Sequence, residues 1–347
     1  LMAYSTIPKG SLYMNTKLYA GNGNARSITG VGFQPDWVWI KNRTIGANHA
    51  LFDVIRGATK VLNSNATTAE ATEAQMLTAF GSDGFSVGTD STVNDNGSNI
   101  VSWNWKANGA GSANTDGSIN TTYTSANTTS GCSIVSYTGT GSNATVGHGL
   151  GAVPKIIFVK TRSTSNIWAV YHVGIGNTKY MQLNEPDTPT TNNTYWNNTT
   201  PTSSVFSVGT ASGVNGSGVT NIAYCFADVK GFSKISSYTG NASTDGTFVY
   251  CGFKPSFIFT KATATGEGWQ IYDNKRLGVN ATEKVLYPNT SSSESTLAGG
   301  VDFLSNGFKW RTADGGVNSS QLYIYMAFAE NPFVATSGTN AVPVTAR

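Results

Sequence analysis

Short apolar runs, bounded by Gly, Pro, Asn, Ser and Thr, recur along this chain with a strict register. Gly32-Phe33-Gln34-Pro35 is echoed by Gly151-Ala152-Val153-Pro154 and by Gly252-Phe253-Lys254-Pro255. An apolar run ending in lysine follows each proline: Trp37-Val38-Trp39-Ile40-Lys41, Ile156-Ile157-Phe158-Val159-Lys160 and Phe257-Ile258-Phe259-Thr260-Lys261. Asp53, His172 and Asp273 each stand 18 residues after their proline, and Phe85, Phe206 and Phe308 each stand 20 residues before Trp105, Phe226 and Phe328. A register kept through such divergence predicts one supersecondary unit used three times.

Each copy reads as a succession of strands. The first, at 17–20, 133–137 and 234–238, ends at a Gly-containing turn. The strand after the proline is apolar on both faces, as expected of a central strand covered on each side. Further strands are expected at 50–53, 168–172 and 269–273, then at 84–88 and 100–105 with their counterparts. The segment Thr67 to Phe80, with Glu70 and Glu73 early in it, predicts a helix confined to the first copy. Many short strands without alternating helices predict an all-β fold: three tandem antiparallel β-sandwich or jelly-roll repeats. The expected boundaries are an N-terminal arm 1–16, repeats at 17–108, 132–229 and 230–333, and a C-terminal arm 334–347. The Gly/Ser/Asn/Thr-rich stretch 109–131 joins the first two repeats and is expected to supply strands around Ile119 and Tyr123.

Composition narrows the function. Charged residues make up 12% of the chain and aromatic residues 11%, so the polarity lies at the surface over real cores rather than marking disorder. A scattered net charge of +3 gives no nucleic-acid patch, and no apolar run approaches the ~20 residues that cross a bilayer. Cys132, Cys225 and Cys251 do not make a disulfide framework. Buried free thiols are the default, with a Cys132–Cys225 bridge the alternative. Neither cofactor nor metal is implied: the three histidines, His49, His148 and His172, stand in unrelated contexts, and no HExxH or Cys/His spacing occurs. No nucleophile elbow or phosphate loop appears, and no carboxylate pair recurs in all three copies. These observations favour a non-enzymatic protein.

Two constellations are candidates. Lys41 with Asp53, and Lys261 with Asp273, read as structural ion pairs on neighbouring strands, lost in the second copy where His172 takes the acidic place. Tyr195 and Trp196, flanked by Asn193 and Asn197 in a polar loop, read as a candidate ligand site in which a ring stacks on a sugar face and amides bond its hydroxyls. The competing readings are a loop folded back so that Trp196 caps its own sandwich, or a subunit contact. Trp168 and Trp269 read as core.

The motifs Leu18-Tyr19-Ala20-Gly21-Asn22-Gly23, Gly32 through Arg43, Trp103-Asn104-Trp105-Lys106-Ala107, Ser142 through Gly151 and Ala327 through Phe333 resemble structural proteins of marine bacteriophages, especially those of cyanobacteria. The resemblance implies a place on the virion surface and a lectin-like β architecture. With it, the chain is expected to be a virion structural protein, a tail-fibre or adhesin-like display module making multivalent contacts with host-surface polysaccharide. Other virion proteins and further copies of the chain are the expected partners, as a homo-oligomer with a trimer among the options. Two rival readings stay open: a capsid-decoration or tail-cement protein binding only other virion proteins, and a glycan-degrading tailspike.

Overall fold

The computed structural model describes residues 5–7, 9–277 and 280–332, so the C-terminal arm 334–347 lies outside the described residues. Antiparallel strands dominate the regular structure of the described residues, with only short helices between them. Its first segment contains β1 (Met14–Ala20), β2 (Arg26–Thr29), β3 (Trp37–Asn42), β4 (Ala50–Asp53), β5 (Lys60–Asn63), β6 (Ala71–Thr72), β7 (Leu77–Gly81), β8 (Gly84–Val87) and β9 (Asn99–Trp105). The second contains β10 (Tyr123–Asn127), β11 (Cys132–Thr138), β12 (Ala144–Gly147), β13 (Ile156–Thr161), β14 (Trp168–His172), β15 (Lys179–Gln182), β16 (Thr190–Thr191), β17 (Val205–Val208) and β18 (Thr220–Phe226). The third contains β19 (Ser233–Thr239), β20 (Phe248–Tyr250), β21 (Phe253–Ala262), β22 (Gln270–Asp273), β23 (Thr282–Val285), β24 (Ser295–Leu304), β25 (Gly307–Trp310) and β26 (Leu322–Pro332).

One strand order recurs in the large sheets: β1-β9-β3-β4, β11-β18-β13-β14 and β19-β26-β21-β22. Smaller sheets, β2-β8-β7, β12-β17 and β20-β25-β24-β23, accompany them. The strand after each proline is central, as its two apolar faces require, and β3 is buried at every position. In β21 the register shifts around Pro255, which has no N–H for the ladder.

The two faces of β3 and of β13 have different fates. Val38 and Ile40 enter a local core with Phe85 and Ile100, and Ile157 and Val159 enter another with Phe206 and Val208. Trp37, Trp39, Ile156 and Phe158, on the alternate face, join Phe257 and Phe259 in one central cluster fed by all three segments. Trp37 stacks on Tyr224 at 4.4 Å and lies 4.5 Å from Trp105, whose edge meets Phe257 at 5.5 Å. Phe226 meets Phe328 at 5.8 Å, completing the circuit. The three large sheets therefore share one core.

A second device fixes each segment internally. Tyr19, Tyr137 and Tyr238 donate to the carbonyls of Val93, Val214 and Val317 at 2.8, 2.6 and 2.7 Å. The next residue is in each case a fully buried asparagine. Asn94, Asn215 and Asn318 accept from the backbone N–H of Asn22, Thr140 and Asn241, and donate through Nδ2 to carbonyls such as those of Gly88, Gly209 and Thr312. The fit leaves no room for side chains at the turn: a Cβ on Gly139 would lie 2.4 Å from the Gly216 carbonyl oxygen.

Two expectations need correction, and the default reading of the cysteines as buried free thiols holds. Residues 67–80 form no helix: β6 and β7 occupy the segment, because Leu77 is buried under β8 and Glu70 is drawn to Arg162. The arm expected at 1–16 is partly structure, since β1 begins at Met14 paired with Trp105 and Ile7 is buried in the central cluster. The three cysteines are free and buried. Ser133, not Cys132, is the cross-strand partner of Cys225, so the two thiols face opposite sides of the sheet and enter different cores.

A shared core predicts one cooperative unfolding transition in calorimetry, with calorimetric and van't Hoff enthalpies agreeing; three separable transitions would contradict it. Asn215→Ala leaves several buried backbone groups unpaired, and is expected to lower the unfolding free energy by about 1–3 kcal/mol in denaturant titration.

Candidate functional site

Of the readings open for the polar loop, the one in which it folds back on its own sandwich holds, and the exposed-ring reading does not. Residues 193–196 form a short helix, α1 (Asn193–Trp196), capped by the Asn192 side chain. It turns Trp196 inward to 2% exposure, where the ring packs edge-on against Tyr171 at 5.9 Å. Tyr195 stacks on Tyr180 with centroids 3.6 Å apart. Asn197 adopts the left-handed conformation that ends the helix, and its N–H bonds the carbonyl of Asn193. Trp196 thus caps the local core of the second segment, and its ring offers no sugar platform.

The lysine–aspartate pairs are absent as well. Asp53 lies opposite Trp37 in the ladder and Lys41 lies four residues farther along β3, roughly 13 Å away. Lys41 instead donates to the carbonyls of Asn42 at 2.7 Å and Ser291 at 3.3 Å, and Lys160 to those of Thr161 and Thr67. Lys261 donates to the Ala262 carbonyl. Burial pulls all three ammonium groups down to about 8. Lys41 and Lys160 reach loops of neighbouring segments, so they belong to junctions rather than to a strand pair.

The real partners of the aspartates are arginines three residues on. Asp53 binds Arg56 and accepts from the Tyr224 hydroxyl of the second segment at 2.7 Å. Asp273 binds Arg276 at 2.6 Å and accepts from Trp103 Nε1 of the first segment at 3.0 Å. Each arginine leans on a glutamate, Glu70 or Glu294, which also binds an arginine across the junction: Arg162 at 2.9 Å and Arg43 at 2.8 Å. Two junctions thus carry an Asp–Arg–Glu–Arg chain, buried at its Asp–Arg end and partly exposed at its Glu–Arg end.

The third junction, between the second and third segments, lacks it. Met326, the counterpart of Trp103 and Tyr224 by register, has no hydrogen to donate. In the acidic place stands His172, whose Nε2 lies 3.2 Å from the Tyr325 carbonyl while Nδ1 accepts from the Gly174 N–H. Donor and acceptor are exchanged together. Trp269 still crosses this junction, donating to the Gln182 carbonyl at 2.8 Å as Trp168 donates to that of Asn63.

An exposed aromatic pair does exist, on β20. Phe248 is 42% and Tyr250 59% exposed, on the same face of that strand, with Val249 turned inward. The equivalent places are Ser27 and Thr29 on β2, and Thr145 and Gly147 on β12. Gly307 lies opposite Tyr250, leaving its flank bare, and any Cβ there would strike the Val249 carbonyl oxygen. Lys309, opposite Phe248, binds Asp245 at 2.8 Å, and Arg311 binds Asp302 at 2.6 Å. The Lys309 ammonium holds the Asp245 carboxyl below the usual carboxylate range. Rings roughly 7 Å apart beside charged donors and acceptors form an amphipathic patch. Its sequence signal was the apolar-aromatic strand Phe248-Val249-Tyr250 in a place where the other copies carry small or polar residues.

Tyr224→Phe and Trp103→Phe each remove a hydrogen bond to a buried carboxylate, and are expected to cost about 1.5–3 kcal/mol in denaturant unfolding. The acid limb follows from the histidines. Burial lowers His49 well below its ordinary value, lowers His148, and takes His172 to about 4. The unfolded chain takes up these protons from about pH 6.5 downward while the fold does not, so stability falls as pH drops from there toward 4. The difference in unfolding temperature between wild type and His172→Gln should shrink or reverse across that window.

No curated protein matches the sequence. A family model described as "Domain of unknown function (DUF7483)" matches residues 9–332, a span that takes in all three large sheets. The chain therefore belongs to the DUF7483 family.

Proposed function

We propose that this chain is a non-enzymatic display module, a bacteriophage virion structural protein of fibre or adhesin type, that makes multivalent contacts with host-surface glycan. The observation that carries the reading is the Phe248–Tyr250 patch: two rings held outward on a strand whose counterparts carry none. A pyranose ring offers apolar C–H faces to such rings and hydroxyls to Lys309, Asp245 and Arg311. One patch of this size binds weakly, and several copies on one particle multiply it into avidity. A scaffold with one shared core keeps the patch fixed, which lowers the ordering cost of each contact. The virion location comes from the resemblance of the sequence motifs to marine phage structural proteins.

A second reading is favoured by the same strand. Among the described residues β20 pairs only with β25, leaving its other edge unpaired, whereas the edge of β12 is covered by Ile119 bridging Val146. A strand of another virion protein could add there, which is the decoration or cement function.

Phe248→Ala combined with Tyr250→Ala is expected to lower binding of the purified protein to host cells at least tenfold, about 1.4 kcal/mol per site, with unchanged unfolding temperature. Unaltered cell binding by that variant would overturn the adhesin reading. Association with purified virion proteins that the variant loses would favour the cement reading, and release of reducing ends from host polysaccharide would favour a tailspike.

A further inference from the structure

The junction between the second and third segments differs from the other two in a way that leaves space. By spacing from the prolines, Thr263 stands where Arg43 and Arg162 stand, and Ile175 where Arg56 and Arg276 stand. Pro189 stands where Glu70 and Glu294 stand, each two residues before the threonine paired with Lys179, Lys60 or Lys284. Every ionic member of the chain that fills the other junctions beyond the buried acid is therefore replaced by a shorter or uncharged residue. Thr263, Ile175 and Pro189 all line one cleft of about 270 Å³, together with Thr188, Lys179 and Leu322.

The cleft also has an unused cation. Lys60 donates to the Thr72 hydroxyl at 2.6 Å and Lys284 to the Thr296 hydroxyl at 2.9 Å. Lys179, at the same place in the ladder, is exposed, and among the described residues its ammonium has neither a hydrogen bond nor an ion pair. No carboxylate lines the cleft, although Asp187 stands next to Thr188 in the chain.

We propose that this cleft binds a small hydroxylated carboxylate, the chemistry of a uronic acid residue. Its carboxylate pairs with Lys179, its hydroxyls meet Thr188 and Thr263, and its ring lies against Ile175, Pro189 and Leu322. The volume, just under the usual range of about 300–1,000 Å³ for ligand pockets, suits one sugar ring rather than a larger ligand. The site is separate from the Phe248–Tyr250 patch and stands or falls independently of it.

The test is calorimetric titration of the full chain with D-glucuronate, with an oligomer ending in glucuronate, and with neutral D-glucose. Glucuronate in either form is expected to bind at least tenfold tighter than glucose; a preference for the oligomer identifies a polysaccharide end, and equal binding a free solute. Lys179→Met is expected to weaken glucuronate at least tenfold with no change in unfolding temperature or in Phe248–Tyr250-dependent cell binding. Thr263→Arg with Pro189→Glu, which refills the cleft as in the other junctions, is expected to abolish binding. If that double variant does not fold, Lys179→Met decides alone. Absence of glucuronate binding at millimolar concentration, or binding that Lys179→Met leaves unchanged, would overturn the proposal.

Discussion

The structure depends on the aromatic contact that joins three sheets through one interior. Trp37 of the first segment lies between Trp105 of its own sheet and Tyr224 of the second, and Trp105 abuts Phe257 and Phe328 of the third. Large rings of this kind contribute most of their stabilisation through buried area, and gain a further ~0.5–1.5 kcal/mol per well-placed pair. Each sheet has one apolar face committed to this hub. None could expose that face to water without losing the burial that offsets its chain entropy. The consequence is a single body with one shared interior.

Polar interactions then decide how the sheets meet. A hydrophobic hub alone is tolerant of rotation and slippage. The chains Arg162–Glu70–Arg56–Asp53–Tyr224 and Arg43–Glu294–Arg276–Asp273–Trp103 are not, because their Asp–Arg ends are buried and a charge left unpaired there costs several kcal/mol. Indole N–H groups add the same kind of constraint, Trp168 to Asn63 and Trp269 to Gln182. The third junction solves the problem by replacing the ionic chain with uncharged residues: His172 neutral, Met326 apolar, Thr263 short. It is the junction at which the protein holds itself together by packing and single hydrogen bonds, and the one where a cleft opens.

The division between scaffold and surface follows. Small sheets cover the outer faces of the large ones, and their own outward residues are free to differ without disturbing the hub. On β2 and β12 they are serine, threonine and glycine; on β20 they are Phe248 and Tyr250. A strand whose inward residue is fixed, as Val249 is, can change its outward residues at little cost to the fold. Asymmetry between otherwise corresponding segments is therefore where binding is sought.

Much of the strand layout could be read from the chain. The two-faced runs after Pro35, Pro154 and Pro255 are central strands because alternate side chains must each find an apolar surface, and Tyr19, Tyr137 and Tyr238 each stand one residue before the end of β1, β11 and β19. The recurring Val93-Asn94, Val214-Asn215 and Val317-Asn318 pairs were equally visible as a signal, although the buried function of the asparagine depends on a turn distant in sequence. What the chain could not disclose is which side chains meet in space. Trp196 looked solvent-exposed because its neighbours in sequence are polar, while its neighbours in space are Tyr171 and the second core. Lys41 and Asp53 looked like partners because they share a face, but the ladder places them about four residues apart, and Arg56 is nearer. The segment 67–80 carries helix-forming residues, yet pairing with β8 and the pull of Arg162 on Glu70 outweigh a local preference worth only tenths of a kcal/mol per residue. Local pattern determined the strands, since periodicity is a property of adjacent residues. The contacts between segments and the cleft were decided by tertiary structure, since they join residues as far apart as Lys160 and Thr67, 93 positions, and Arg43 and Glu294, 251 positions.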